Sequence, residues 1–106
     1  MAEDATILDR LYATIESRKG ANPSTSYTAG LFAAGRAKIA RKMGEEAVET
    51  TVAALTETPA RLAGESADLL YHLLVLWADC GVAPADVWAA LATRQGKSGI
   101  EEKNSR

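Results

Sequence analysis

Acidic side chains recur three or four positions apart in two short motifs, and this spacing constrains the fold more than any other feature of the chain. The first motif holds Glu45, Glu46 and Glu49, and the second holds Glu65 and Asp68. Such spacing places side chains on one face of an α-helix. Like charges at that spacing cost an isolated helix roughly 0.2–0.5 kcal/mol per pair. Two such motifs on otherwise amphipathic helices therefore predict a bound cation that offsets the repulsion.

The ligand chemistry of the two motifs indicates which cation to expect. Neither motif contains histidine or cysteine, so every candidate ligand atom is a carboxylate oxygen. Oxygen-only sites favour hard divalent ions. We therefore expect Mg²⁺, with Mn²⁺ as a substitute, in a site of the kind that handles phosphates.

Every strong hydrophobic period along the chain is helical, and no strand candidate, internal repeat or domain linker is visible. Helices are predicted over about 6–18, 28–34, 36–57, 59–80 and 84–94. Helix-end signals support these bounds. They are Asp4 or Thr6 as the first cap, Gly35 as a break, Thr58 followed by Pro59 as a cap and first turn, and Gly81 as a stop. The predicted fold class is all-α: an antiparallel bundle of four to five helices forming a single domain, 1–106.

The apolar side chains of residues 69–77 (LLYHLLVLW) spread right round the fourth helix instead of forming one stripe. A helix that is apolar on all sides is buried on all sides. A chain of 106 residues has little interior. We therefore expect oligomerisation to complete the bundle, with a homodimer as the simplest assembly. Cys80, at the end of this helix, is predicted to be a small core residue.

Composition narrows the classes of partner and compartment. A formal net charge of −2 argues against a nucleic-acid binder that depends on bulk positive charge. The single cysteine cannot form an internal disulfide and fits a reducing compartment. The N-terminus lacks the pattern of a signal peptide, and the longest apolar run is too short to span a bilayer. These features predict a cytoplasmic protein with neither a nucleic-acid nor a membrane partner.

The turn between the two long helices should bring the acidic motifs together. Glu49 lies nine residues before Thr58, and Asp68 lies ten after it. A tight antiparallel turn at Thr58 would place the motifs at the same height and facing each other, with room for one or two ions. Lys38 and Lys42 precede the first motif on the same stripe. They are placed either to meet phosphate oxygens or to form ordinary surface pairs with glutamates.

Several segments also resemble a known family. The segments KMGEEAVE (42–49) and ESADLLYHLLVL (65–76) are similar to the phosphoribosyl-ATP pyrophosphatases of histidine biosynthesis. Two further elements match: Ser26, Tyr27 and Thr28 in the first loop, and the ending that contains Gly81, Val87, Leu91 and Arg94. The acidic pattern alone is shared by the wider all-α nucleoside-triphosphate pyrophosphohydrolase (MazG-like) superfamily.

The resemblance implies Mg²⁺-dependent hydrolysis of phosphoribosyl-ATP to phosphoribosyl-AMP and pyrophosphate, in a homodimer or larger assembly. It implies that the metal ligands are Glu46, Glu49, Glu65 and Asp68. Glu45 would be a further ligand or the base that orients water, so Glu45 and Glu46 are the candidate catalytic residues.

Candidate substrate contacts come from the polar segments and from the helix faces beside the acids. They are Lys38, Lys42, Tyr27, His72 and Lys97. His72 follows Asp68 by one turn, and it is equally placed to support a ligand carboxylate, to contact substrate or to pack in the core. Lys97 belongs to the polar tail 95–106, which we expect to be mobile unless a ligand or a neighbouring subunit orders it.

Three other functions compete with this one. A house-cleaning pyrophosphohydrolase would use the same chemistry on damaged or surplus nucleotides, and spacing alone does not separate the two substrates. A non-catalytic helical bundle has no reason to hold five acids in register. A di-iron bundle uses Glu-x-x-His motifs, whereas His72 follows Glu65 by seven residues and Asp68 by four.

Overall fold

The computed structural model describes residues 3–96 together with Gly99 and Lys103. Five α-helices follow one another: α1 (Thr6–Ser17), α2 (Tyr27–Ala34), α3 (Arg36–Thr56), α4 (Pro59–Cys80) and α5 (Pro84–Arg94). Across these residues there is no β-strand. The prediction of an all-α chain is therefore confirmed, and each predicted helix end lies within one residue of the observed one.

Local capping chemistry sets the helix ends. The side chains of Ser26 and Thr58 each accept a backbone N–H from the first turn of α2 and α4, at 3.1 and 3.2 Å. Asp4, rather than Thr6, supplies the side-chain bond at the start of α1, because its carboxylate accepts the Thr6 N–H at 2.9 Å. Gly81 ends α4 in the left-handed region, with φ of 74°.

Helices α3 and α4 form an antiparallel hairpin, which is the most extensive helix–helix contact in the described part of the chain. At its open end, Arg36 Nε lies 2.8 Å from Asp79 Oδ2. Towards the turn, the Thr50 hydroxyl lies 3.2 Å from the Glu65 carbonyl oxygen. Contacts that pair early α3 with late α4, and late α3 with early α4, establish the antiparallel direction. The connection is short, since only Glu57 and Thr58 separate the helices.

The core lies where α1 and α2 pack against the open half of this hairpin. Six buried apolar residues form it: Ile15, Leu31, Ile39, Leu74, Val75 and Ala78. Partly buried leucines and aromatic residues surround them, including both Tyr12 and Trp77. Burial of a large aliphatic side chain is worth about 1.5–3 kcal/mol, so this cluster anchors the hairpin that carries the acids.

Among the described residues, no helix other than α4 covers the half of α3 near the turn. Val48, Val52 and Leu55 are 64, 48 and 80% exposed, and Leu70 on α4 is 42% exposed. In contrast, Leu74 and Val75 are fully buried by the chain itself. The all-round burial expected for 69–77 is therefore achieved within one chain only on the side that faces α1 and α2.

The prediction that Cys80 is a core residue is wrong, since the thiol-bearing residue is exposed. Cys80 is the last residue of α4, and the chain turns away at Gly81 immediately after it. The residue therefore lies at the exposed end of the helix rather than in its packed middle.

Within the described ranges, no single helix is long and apolar enough to cross a membrane. Helices α4 and α5 meet that test only when taken together, and this pair is bent by 111°.

The junction between α2 and α3 depends on a glycine. Gly35 has φ of 98° and ψ of 167°, a region that side-chain-bearing residues avoid. Gly64 instead lies within α4 and has open space where a Cβ would be. We expect Gly35→Ala to lower the free energy of unfolding by about 1–3 kcal/mol. Gly64→Ala should raise it by about 0.5–1 kcal/mol.

Urea denaturation of the two variants measures both effects. Equal effects of the two substitutions would contradict the view that Gly35 is required for its backbone conformation.

Candidate functional site

Three carboxylates from the two acidic motifs meet between α3 and α4. One oxygen from each of Glu46, Glu49 and Glu65 lies within 4.8 Å of the others, the spacing of a group able to hold a metal ion. Glu46 is buried, with 9% of its surface exposed, Glu65 is half-buried and Glu49 is exposed. The structure thus brings together three of the four predicted metal ligands, which we call the acidic cluster.

Thr50 connects the two helices beside the acidic cluster. Its hydroxyl lies 2.8 Å from the Glu46 carbonyl oxygen in its own helix and 3.2 Å from the Glu65 carbonyl oxygen across the hairpin. Sequence reasoning missed this residue. Its position four residues after Glu46 and one after Glu49 was the signal that could have identified it.

Two oxygens of the acidic cluster lack the partners that buried polar atoms normally have. Glu46 Oε2 and Glu65 Oε2 are buried, and no hydrogen-bond partner for them exists among the described residues. An unsatisfied buried acceptor costs about 1–3 kcal/mol, and more when it is charged. A divalent cation bound between these oxygens would satisfy both, so the donor set fits the hard ion predicted from the sequence.

The carboxylates of the acidic cluster also repel one another. Burial raises the pKa of Glu46, and the neighbouring Glu49 carboxylate raises it further. Burial and then the charge of Glu49 likewise raise the pKa of Glu65. Arg61 opposes this effect through its contact with Glu65, at 3.3 Å, but the Arg61 side chain is 63% exposed and also contacts Glu57. One exposed guanidinium on the rim does not neutralise three acids.

Asp68 and Glu45 take different positions from the acidic cluster. Asp68 is exposed and lies outside the group of three, although its charge contributes to the raised pKa of both Glu46 and Glu65. The Glu45 carboxylate lies 3.2 Å from Lys42 and 3.9 Å from Arg41. Glu45 is therefore engaged on the lysine side of the helix.

A cavity of about 320 Å³ lies beside the Glu45–Lys42 pair. Three of the predicted substrate contacts line it, Tyr27, Lys38 and Lys42, together with Pro23, Gly30 and Leu31. Tyr27 is 59% exposed, so much of its ring is accessible. Contact with Glu45 raises the pKa of Lys42, and smaller contributions come from Tyr27 and Glu46. We call this space the lysine cavity.

Of the two remaining predicted contacts, His72 is not among the residues that line the lysine cavity. His72 is buried, and its ring nitrogens contact the Asp68 carbonyl oxygen at 2.8 Å and the Tyr27 hydroxyl at 3.3 Å. Lys97 lies outside the described residues. A second cavity of about 330 Å³, on the turn side of the acidic cluster, is lined by acids and by the exposed apolar face of α3: Val48, Glu49, Val52, Glu57, Arg61 and Glu65.

The raised pKa of Glu46 gives a test of this geometry in metal-free protein. A folded-state pKa above the ordinary 4.5 means that ionisation is disfavoured in the folded protein. The resulting destabilisation is absent well below pH 4.5, grows as the pH rises from there to the folded-state pKa, and is constant above it. We expect Glu46→Gln to raise the Tm by a few degrees near neutral pH, and this gain should vanish at about pH 4.

Glu45→Gln is the matched control for this experiment. It removes a neighbouring carboxylate that is paired with Lys42, so the Tm should stay level or fall slightly at neutral pH. Thermal scans of both variants across pH distinguish the two environments, and a Tm for Glu46→Gln below that of the parent protein at neutral pH would contradict the repulsion.

Comparison with known proteins identifies the family of the chain. Residues 8–95 match the family model described as phosphoribosyl-ATP pyrophosphohydrolase. A protein of Paramagnetospirillum magneticum named phosphoribosyl-ATP pyrophosphatase is 69% identical to this chain, and the match covers 100% of this chain and 97% of the relative. A protein of the same name from Azospirillum brasilense is 64% identical, and the match covers 100% of this chain and 98% of the relative. A relative of the same name in Rhodospirillum rubrum is 62% identical, over 94% and 86%. The chain belongs to the phosphoribosyl-ATP pyrophosphohydrolase family.

Proposed function

We propose that this chain hydrolyses phosphoribosyl-ATP to phosphoribosyl-AMP and pyrophosphate, the second step of histidine biosynthesis. The observation that carries the proposal is the acidic cluster, in which three carboxylates converge within 4.8 Å and leave two buried oxygens without partners among the described residues. We infer the identity of the substrate from the family, since close relatives are named phosphoribosyl-ATP pyrophosphatase.

We assign the binding of Mg²⁺, or Mn²⁺ in its place, to Glu46, Glu49 and Glu65. Asp68 is the proposed fourth ligand because it lies one turn from Glu65 and its charge already acts on the cluster. When bound, the ion would neutralise triphosphate charge and hold the water and the leaving pyrophosphate in line. We assign proton transfer and the binding of the rest of the substrate to side chains of the protein.

Glu46 is the better placed of the two candidate catalytic residues to accept a proton. In the reaction, a water oxygen attacks phosphorus at the α–β bridge, the bridging P–O bond breaks, and the water loses a proton. Glu46 lies in the acidic cluster beside the proposed ion, so the carboxylate oxygen that the ion would leave free could accept this proton. Glu45 instead holds Lys42 at 3.2 Å, so we assign to it the orientation of that lysine.

We propose that the lysine cavity binds the part of the substrate that lies away from the scissile bond. The substrate carries a triphosphate and a further phosphate on its second ribose, which is more negative charge than one or two divalent ions neutralise. Lys38 and Lys42 line the cavity and supply compact cations for the surplus. Lys97 is proposed as an additional cation from the tail.

The exposed apolar face of α3 supports the proposal of a homodimer. Val48, Val52 and Leu55 are side by side near the turn, and each is about half exposed or more. A second copy of the chain that covered this face would remove apolar surface from water at roughly 25 cal/mol per Å². We further propose that the assembly is cytoplasmic and has no nucleic-acid partner.

Metal dependence is the first test of the proposed function. Excess EDTA should abolish pyrophosphate release from phosphoribosyl-ATP, and added Mg²⁺ should restore it. Glu49→Gln should lower kcat about 100-fold, the size of effect seen when one electrostatic stabiliser is lost, while the fold is retained. Glu16→Gln, in a surface pair on α1, is the control and should remain active. Full activity in EDTA would contradict the proposed metal site.

Substrate choice is tested in the same assay. Phosphoribosyl-ATP should be hydrolysed with a much higher kcat/KM than ATP or other nucleoside triphosphates. Equal rates across the panel would favour the house-cleaning alternative over the proposed function.

The proposed dimer is tested by charge insertion. The protein should sediment at about twice the chain mass of 11.2 kDa, and Leu55→Lys should yield monomers because it forces an unpaired charge into the interface. Leu91→Lys, at a comparably exposed leucine on α5, is the matched control and should remain dimeric. An active monomer of the unmodified protein would contradict the proposal.

A further inference from the structure

Two consecutive residues at the start of α2 bind two consecutive residues on α4. The Tyr27 hydroxyl lies 3.3 Å from His72 Nε2, and the Thr28 hydroxyl is hydrogen-bonded to the Tyr71 hydroxyl. The rings also pack together: Tyr27 stacks on Tyr71 with centroids 6.3 Å apart, and Tyr71 meets His72 edge-on at 4.9 Å. We call these two hydrogen bonds the aromatic clamp.

The hydrogen bonds of His72 fix the orientation of its ring. His72 Nδ1 lies 2.8 Å from the Asp68 carbonyl oxygen, which can only accept, so Nδ1 carries the hydrogen. In the neutral ring Nε2 is then an acceptor, and the Tyr27 hydroxyl donates to it. His72 is only 6% exposed and is not among the residues that line the lysine cavity. It lies between Tyr27 and the helix turn that carries Asp68.

Tyr27 combines a fixed hydroxyl with an accessible ring. The hydroxyl is directed to His72, whereas the residue as a whole is 59% exposed and lines the lysine cavity opposite two lysines. The contacts with Tyr71 and His72 thus leave more than half of the surface of Tyr27 uncovered. An aromatic face beside cations suits a nucleotide, whose base stacks while its phosphates meet the lysines.

We propose that Tyr27 is the stacking platform for a base of the nucleotide substrate, and that His72 is a positioning residue that holds this platform in place relative to the acidic cluster. The proposal rests on the proposed function for the identity of the substrate, but its physical content is binding of a base. His72 is linked to the acidic cluster through the turn of α4 that carries Asp68, because its Nδ1 donates to the Asp68 carbonyl oxygen one turn after Glu65.

Binding of two small probes tests the platform without turnover. AMP carries a base, and ribose 5-phosphate carries the same sugar phosphate without one. Tyr27→Leu should weaken AMP binding roughly tenfold, the typical loss for one base–aromatic stacking contact, and leave ribose 5-phosphate binding unchanged. Equal weakening of both probes, or no effect on AMP, would overturn the assignment. Since neither probe is hydrolysed, this result stands apart from failure of the phosphoribosyl-ATP assay.

A double-mutant cycle on AMP binding tests the positioning role. Tyr27→Phe keeps the ring and removes only the hydroxyl, and His72→Asn keeps a donor near the Asp68 carbonyl while losing contact with Tyr27. Each should weaken AMP binding a few-fold, and the double variant should be no weaker than either one, because both remove the same hydrogen bond. His72→Gln, whose longer amide can reach the hydroxyl, should restore part of the affinity.

Additive losses in the double variant would overturn the positioning role of His72. If His72→Asn fails to fold, the spectrum of the chain's single histidine still decides the matter. In the unmodified protein the ¹⁵N spectrum at alkaline pH should show hydrogen on Nδ1, and Tyr27→Phe should shift the Nε2 resonance but not that of Nδ1. Hydrogen on Nε2, or an unmoved Nε2 resonance, would contradict the clamp.

Discussion

Electrostatic repulsion among three carboxylates is the constraint on which the rest of the structure depends. Two helices must hold Glu46, Glu49 and Glu65 within 4.8 Å of one another, although burial and mutual charge raise the pKa of two of them. That arrangement persists only if packing elsewhere over-determines it. The core at the open half of the α3–α4 hairpin, with Ile39, Leu74 and Val75 fully buried, performs this role.

The division of the hairpin into a packed half and an acidic half explains where each kind of residue lies. At the open end, α1 and α2 cover the hairpin and large aliphatic side chains are buried. Towards the turn, no further helix in the described part of the chain covers it, and acids and exposed valines share the surface. Stability is concentrated in one half, so the other half can carry charges that oppose folding and favour ion binding.

Local chemistry made the fold predictable from sequence. Caps at Ser26 and Thr58, the break at Gly35 and the stop at Gly81 act within a few residues, so the helix ends could be predicted within one residue. The convergence of the acids could also be predicted from the sequence, because a two-residue connection restricts how two antiparallel helices align. Side-chain direction was not accessible. Glu45 is directed by Lys42, and Asp68 lies outside the cluster.

Contacts between side chains far apart in the sequence could not be predicted, for a different reason. Tyr27 and His72 are 45 positions apart, and neither spacing nor composition indicates that their side chains meet. The sequence left His72 open between a role beside the metal ligands, a substrate contact and core packing. The structure shows a buried ring that is bonded to the Asp68 carbonyl oxygen on one side and to Tyr27 on the other. The exposure of Cys80 is of the same kind, because it depends on where neighbouring helices end.

The apolar face of α3 connects association with chemistry. Val48 and Val52 flank Glu49 in sequence and line the same cavity as Glu49 and Glu65. A second copy of the chain on that face would bury valines and, in the same contact, displace water from beside the acids. Lower local dielectric strengthens both the repulsion among carboxylates and their attraction for a divalent ion. Assembly would therefore make the ion-free site less favourable and the ion-bound site more favourable, which couples ion affinity to the proposed dimer.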